Sequence, residues 1–338
     1  MLLINRNLKN LHLNLRKFST FNKQDILNFN KLLFDEELQM IDSVQMYASK
    51  KLLPRVIQDN RYETFDKEIF KEMGNLGLLG SSIVGYGCPG LSKVIYGLCN
   101  REIERIDSGY RSAMSVQTSL SMFPIYKFGT ETQKSKYLPG MASGDLLGCF
   151  GLTEPSNGSD VSGIKTHAKK VKDGYVLNGT KTWITNAPIA DLFIIWAVYD
   201  GCIKGFILDK NFDGLSTTKI TNKLALRASE TGTIYLEDVF VPDENILPNV
   251  KGLKGPFSCL NQARYGISWG VIGALENVFE RSIDYASERN QFNTQLASFQ
   301  LVQKKLADAS TEIPLGLLVS LQVGRLMDTS DDSWFVFK

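Results

Sequence analysis

Apolar residues recur at three- and four-residue spacing through residues 25–146, as in Leu33, Leu38, Ile41 and Val44 and again from Val94 to Ile103. That period predicts a helical first domain. The pattern changes near Leu147. Short β-prone runs follow at 174–185, 191–198, 204–208 and 233–236, closed by Val241 and Pro242, and the pair Asn178-Gly179 predicts a hairpin turn between two of them. A compact antiparallel β domain is expected over 147–245. Helical periodicity returns from about Leu253, through 274–286 and 301–308, and runs to Arg325, so 246–326 reads as a second helical domain. Residues 327–338 lose the helix period. The fold class is α+β: an N-terminal helical domain, a middle antiparallel β domain and a C-terminal helical bundle.

At 338 residues with 43% hydrophobic content the chain is long enough for several packed cores. A net charge of +2, with much of the basic excess at the N-terminus, gives no footprint for nucleic acid. Only His12 and His167 are histidines, and Cys88, Cys99, Cys149, Cys202 and Cys259 lie far apart, which argues against a zinc site and a disulfide framework. Arg6, Lys9, Arg16, Lys17 and Lys23 precede the first acid, Asp25, and alternate with leucines. This basic, acid-free pattern over 1–24 predicts a mitochondrial presequence processed near Phe18, against the plainer reading of a disordered basic tail. No apolar run nears the ~18 residues needed to span a membrane.

Gly85, Gly87 and Gly90 match GxGxxG, but helical segments flank them, so a glycine-rich turn is the better reading than a dinucleotide site. The stretch Phe150-Gly-Leu-Thr-Glu-Pro-Ser-Asn-Gly-Ser-Asp160 joins the helical half to the β domain and is rich in hydroxyls and backbone donors. Such a turn suits either a flavin edge with its pyrophosphate or a polar linker. Glu104, Ser108, Arg111 and Ser115 recur at helical spacing and share one face if Gly109 does not break the helix. An arginine there suits a carboxylate through paired charged hydrogen bonds, and it also suits an ordinary Glu-Arg helix surface.

Paired with Lys181-Thr-Trp-Ile-Thr-Asn186, the 150–160 stretch resembles the flavin-binding segments of the acyl-CoA dehydrogenase family. The resemblance continues through Arg264-Tyr-Gly-Ile-Ser-Trp269, Tyr285-Ala-Ser-Glu-Arg289-Asn-Gln-Phe292 and Gln300-Leu-Val-Gln-Lys-Lys-Leu-Ala-Asp308. The segment from Glu104 through Arg111, Ser112 and Ser115 narrows it to the glutaryl-CoA dehydrogenase branch. One departure is Ser156-Asn-Gly-Ser-Asp160 where the family reads Asn-Ser-Gly-Ser-Asp, a swap that keeps the hydrogen-bonding types.

The resemblance implies FAD as cofactor, oxidative decarboxylation of glutaryl-CoA to crotonyl-CoA and CO2 in lysine and tryptophan breakdown, and electron-transfer flavoprotein as acceptor. It further implies a homotetramer in the full-length family and residence in the mitochondrial matrix. Residue by residue, it implies that Phe150, Leu152 and Thr153 line the flavin, with Trp183, Ile184 and Thr185 packing on it. Ser159 meets cofactor and acyl-CoA. Phe257, Leu260, Asn261 and Arg264 form the thioester wall, and Glu104, Arg111, Ser112 and Ser115 form a clamp for the distal carboxylate. Arg289, Phe292 and Gln300 bind the adenine-pyrophosphate part of FAD, in the family from a neighbouring subunit.

The family's catalytic base lies in a late Tyr-Glu-Gly-Thr motif that does not occur here, so the base is expected beyond Lys338. Some relatives carry it at the position of Ala263, where alanine cannot serve. The same comparison reads the tail from Met327 as a truncated or mis-spliced gene product and expects Leu315, Leu318 and Leu321 to lose part of their cover. Three other readings stay open: a base-less module that holds FAD and acyl-CoA, a short-chain monocarboxylic acyl-CoA dehydrogenase, and a purely structural helical protein.

Overall fold

The computed structural model describes residues 25–329; the presequence reading of 1–24 and the last nine residues lie outside them. The first helices are α1 (Asp35–Tyr47), α2 (Val56–Tyr62) and α3 (Glu68–Asn75), followed by a small hairpin of β1 (Val84–Gly85) and β2 (Cys88–Pro89). Gly85, Gly87 and Gly90 all have positive φ there, which makes the GxGxxG match a turn. Next come α4 (Lys93–Glu104), α5 (Ser108–Ser115), a π-helical stretch Val116–Met122, α6 (Phe123–Phe128) and α7 (Glu131–Ser143). Local signals set several ends. The Ser92 hydroxyl accepts from Ile95 N to start α4, and Thr130 and Gln133 form a reciprocal capping box that starts α7.

The β domain contains β3 (Gly148–Gly151), β4 (His167–Val171), β5 (Gly174–Thr185), β6 (Leu192–Tyr199), β7 (Cys202–Asp209), β8 (Leu215–Lys219) and β9 (Thr231–Pro242). They form one seven-stranded sheet ordered β3-β6-β4-β5-β9-β8, with β7 on β6. Pairing is mostly antiparallel, but β3 enters parallel to β6, and β4 also touches β6 in parallel. Two long helices complete the chain: α8 (Lys254–Glu288) and α9 (Gln300–Thr329), separated by the short hairpin β10 (Asn290–Gln291) and β11 (Thr294–Gln295). No described helix is long and apolar enough to cross a membrane.

Three differences from the sequence reading have physical causes. Asn178-Gly179 is not a hairpin turn. The turn lies at Lys172-Asp173, between Val171 and its partner Gly174, and Asp173 takes the positive φ. Gly179 instead sits at a bulge in the β5–β9 ladder, where Asn178 and Asp238 bond each other and a side chain at 179 would strike Thr166. The second difference is the helix end: α9 runs on to Thr329, because Asp328 caps the N-terminus of α4 by accepting from Lys93 N at 2.7 Å. The third concerns the leucines of α9. Leu315 is exposed and Leu318 half-buried, but Leu321 is buried in a core shared with Val94, Leu98, Trp269 and Ile272.

That shared core brings α8 against α4, with α9 beside them. Gly266, Gly270 and Gly273 allow the approach: a Cβ at these positions would lie 2.7 Å from Tyr96 Oη, 1.8 Å from Glu104 Oε2 and 2.0 Å from the Arg101 carbonyl. Ion pairs rim the contact, Arg101 with Glu276 and Arg105 with Glu280. The β domain joins the helical half through buried Gln117, which accepts from Gly148 N at 2.7 Å and donates to the carbonyls of Met141 and Leu146. β3 is thereby seated on the π-helical stretch, and Phe150 and Leu152 enter the helical core.

Candidate active site

Where the three domains meet, a cavity of about 410 Å³ is lined by Val116 and Leu120 from the π-helical stretch and by Phe150, Leu152, Thr153, Gly158, Ser159 and Val161 from the β3 exit. Trp183, Ile184 and Thr185 from β5 and Phe257, Leu260 and Arg264 from the first turns of α8 complete it. Residues more than 100 positions apart thus converge on one space. A π-helical turn holds one extra residue, a feature common at functional sites, and here it faces the cavity through Val116 and Leu120.

Trp183 carries the clearest local signature. The β5–β9 register slips between Lys181 and Ile184, which places one extra residue in β5, and Trp183 takes a φ of 59°. A non-glycine residue in that region costs about 1–3 kcal/mol. The bulge turns the indole into the cavity, where it is 62% exposed despite being a large aromatic. Asn186 then closes the strand: its N–H donates to the Glu230 carbonyl at 2.7 Å and its amide to the Gly148 carbonyl. An uncovered aromatic plane ringed by Thr153, Ser159 and Thr185 hydroxyls and by apolar Phe150, Leu152 and Phe257 suits a flat heteroaromatic ring with polar edges.

The candidate clamp is built differently from the expected single helix. The chain breaks between α4 and α5, at Arg105 to Asp107 rather than at Gly109, because the Asp107 side chain caps α5 by accepting from Gly109 N at 2.6 Å. Glu104 at the end of α4 still meets the first turns of α5: it accepts from Ser108 Oγ at 2.7 Å and from Arg111 Nε at 2.6 Å. Arg111 and Glu104 keep only 10% and 4% of their side-chain surface. The terminal nitrogens of Arg111 make no hydrogen bond to the described residues and are not sealed from solvent, so their donors stay available. Ser112 and Ser115 are also buried, and Ser115 lies 3.3 Å from both Tyr96 Oη and Ser119 Oγ. None of the clamp residues lines the cavity itself. Val116 and Leu120 do, and Arg111 sits about 7–8 Å along the helix axis from Val116 at 1.5 Å per residue.

Of the other sequence candidates, Asn261 stands beside the cavity and accepts from Arg264 at 2.9 Å. Arg289 caps the end of α8, Phe292 is 89% exposed in the β10–β11 turn and Gln300 opens α9; none of the three lines the cavity. No carboxylate lines the cavity among the described residues, and no group of acids, histidines or cysteines there is suited to a metal ion. Sequence reasoning missed Val116, Leu120, Gly158 and Val161 as lining residues, since each reads as ordinary core or loop. It also missed a buried pair behind the walls, Lys181 with Glu154 at 2.9 Å. A lysine between two threonines in a strand reads as a solvent-facing position.

Comparison with known proteins follows the same division. The acyl-CoA dehydrogenase N-terminal, middle and C-terminal domain families match residues 35–145, 149–239 and 251–333. The chain is 37% identical over 302 residues to the probable acyl-CoA dehydrogenase YngJ of Bacillus subtilis (strain 168), covering 87% of this chain and 80% of that protein. It is 37% identical to a second, longer probable acyl-CoA dehydrogenase of that organism, covering 82% of this chain and 48% of the relative. Among solved structures, glutaryl-CoA dehydrogenase from Mycobacterium smegmatis in complex with FADH2 superposes with a TM-score of 0.90 at 41% identity, over 93% of this chain and 82% of that one.

Proposed function

The chain belongs to the acyl-CoA dehydrogenase family, and from that premise we propose a flavoprotein oxidoreductase, with FAD as its cofactor, that takes glutaryl-CoA and holds its far carboxylate on Arg111. The carrying observation is the state of Arg111: mostly buried, pinned through Nε by Glu104, and with both terminal nitrogens open to solvent and lacking an acceptor among the described residues. A carboxylate fits those nitrogens through two parallel charged hydrogen bonds. A methyl-ended acyl chain would leave them unpaired.

FAD, when bound, supplies the acceptor for the hydride leaving the substrate's β-carbon. The residues present fit it: the bare Trp183 indole offers a stacking surface, and Thr153, Ser159 and Thr185 place hydroxyls around it. Phe150, Leu152 and Leu260 exclude water from the space beside the ring, which strengthens every polar contact made there. Arg264 is exposed at the cavity rim, where a cation meets the phosphates of CoA. In the proposed reaction an α-proton and a β-hydride leave glutaryl-CoA, the terminal carboxylate departs as CO2, and the resulting dienolate takes a proton at its γ-carbon to give crotonyl-CoA. The electrons pass to an electron-transfer flavoprotein. No described residue is assigned as base for the α-proton, because no carboxylate lines the cavity. Import into the mitochondrial matrix belongs to this proposal and rests on the basic, acid-free composition of residues 1–24.

A titration of flavin-loaded protein with glutaryl-CoA and butyryl-CoA, followed by the flavin spectrum, tests the reading. Tighter binding of glutaryl-CoA is expected, with Arg111→Ala weakening it about 10-fold or more and leaving butyryl-CoA unchanged, the worth of one charged hydrogen-bonded contact. Equal affinity for the two ligands, or indifference to the substitution, would sink it. That result would favour a monocarboxylic substrate, a reading that draws on the absence of Arg111 from the cavity lining.

A further inference from the structure

Two neighbouring stretches of the same domain line the cavity. One is the turn from Leu152 to Ser159, and the other is the β5 bulge at Trp183, Ile184 and Thr185. Behind them, out of reach of any ligand in the cavity, Lys181 is fully buried and ties one wall to the other. Its Nζ donates to the Leu152 carbonyl at 3.0 Å and to Glu154 Oε1 at 2.9 Å. Glu154 also accepts from Lys165 N at 2.6 Å and Thr166 N at 2.8 Å, which anchors it to the chain leading into β4. The Glu154 and Asn157 backbones bond each other in both directions, closing the turn, and Thr182 N donates to the Thr153 carbonyl at 2.9 Å.

The arrangement is specific about direction. Lys181 stands two residues before Trp183, so its anchor point fixes where the bulge begins. The partners it grips bracket Thr153, which lines the cavity from the neighbouring stretch. A buried ion pair is seldom more stabilising than apolar residues of the same volume, because both ions must be taken from water. What hydrogen bonds to a point charge add is a fixed distance and orientation, which apolar packing specifies less tightly.

We propose that Lys181 and Glu154 are positioning residues for the cofactor: together they hold the Leu152–Ser159 turn in register with the Trp183 bulge, and so set how tightly the cavity grips the flavin ring. This rests on the reading of the cavity as an FAD site. Neither residue touches the ring. The pair acts through Thr153 on one side and Trp183 on the other.

The test compares wild-type protein with the double variant Lys181→Met/Glu154→Gln, which removes both charges and keeps a side-chain oxygen for the Lys165 and Thr166 N–H groups. Thermal unfolding of the flavin-free forms reads the fold, while FAD titration and the shape of the visible flavin band read the site. The expected result is a similar unfolding temperature, FAD affinity at least tenfold weaker, and a flavin band closer to that of free FAD. A double variant that folds equally well and binds FAD with wild-type affinity and spectrum would overturn the proposal and leave the pair a structural one. Should the double variant not fold, Lys181→Arg replaces it: the charge stays, but a planar guanidinium cannot donate from the same point. Weaker FAD binding with a shifted spectrum is then expected, and wild-type values would overturn the proposal. Wild-type protein that takes up no FAD would overturn the underlying reading and this proposal with it, whereas uptake by the wild type separates the two.

Discussion

Arg111 in the helical half and Lys181 in the β domain each bond one glutamate in a nearly dry setting, yet the protein completes only one of these pairs. Glu154 receives Lys181 and two backbone N–H groups, and Lys181 adds a carbonyl to its carboxylate. Among the described residues Arg111 bonds through its Nε alone. Donors left open to solvent leave a cation able to take a further acceptor such as a carboxylate. A cation with its donors engaged holds its neighbours in place. The difference separates a group that meets substrate from one that shapes the space around it.

The largest expected effect comes from breaking the completed pair on one side. Lys181→Met strands the Glu154 carboxylate in the core and should cost about 3–5 kcal/mol, read as a lower urea midpoint. Adding Glu154→Gln should restore most of it, because the amide oxygen still accepts from the backbone N–H groups. If the single substitution proves harmless, Glu154 is satisfied by backbone donors alone and the contrast between the pairs collapses.

A smaller effect is expected at the incomplete pair. Gly270 lies so close that a methyl group there would sit 1.8 Å from Glu104 Oε2. Gly270→Ala should therefore push Glu104 off Arg111, cost about 1–3 kcal/mol of stability, and reduce the preference for glutaryl-CoA over butyryl-CoA. Unaltered discrimination in the same flavin-monitored titration would show that Glu104 does not orient the guanidinium.

A third effect is read against pH rather than by substitution alone. Burial pushes Lys181 down to about 8 from its ordinary 10.5, outweighing its bond to Glu154. Glu154 is held below the ordinary carboxylate range: burial pushes it up, but the bonds from Thr166, Lys165 and Lys181 outweigh that. Between pH 8 and 10.5 the unfolded chain therefore binds the lysine proton more tightly than the native one does. Charged Lys181 lowers native stability below pH 8, and this penalty fades as pH rises through that window. The double variant lacks the titration, so wild-type stability should gain on it from pH 8 to 10.5 in urea unfolding. A constant difference would place Lys181 in a wetter setting than its burial indicates.

Much of the site was legible because its parts are local. The segments from Phe150 to Thr153, Trp183 to Thr185 and Phe257 to Arg264 each carry a recognisable run of residues, and each contributes to the cavity. What escaped was set by contacts between distant segments. Asn178-Gly179 has the composition of a hairpin turn, yet packing against Thr166 and bonding to Asp238 make it a bulge. Lys181 resembles a surface lysine until Glu154, brought beside it by the fold, makes its burial tolerable.

By itself the sequence determined the order of helical, β and helical segments, since the 3.6- and 2-residue periods follow from backbone geometry. It also determined the residue types at the cavity walls. Only the tertiary structure decided which donors stay unpaired and which are completed. That depends on how closely chains far apart in sequence approach, as Gly270 does to Glu104 and Lys181 does to Glu154. Hydrogen bonds act over about 3 Å, a distance no pattern along one strand or helix encodes.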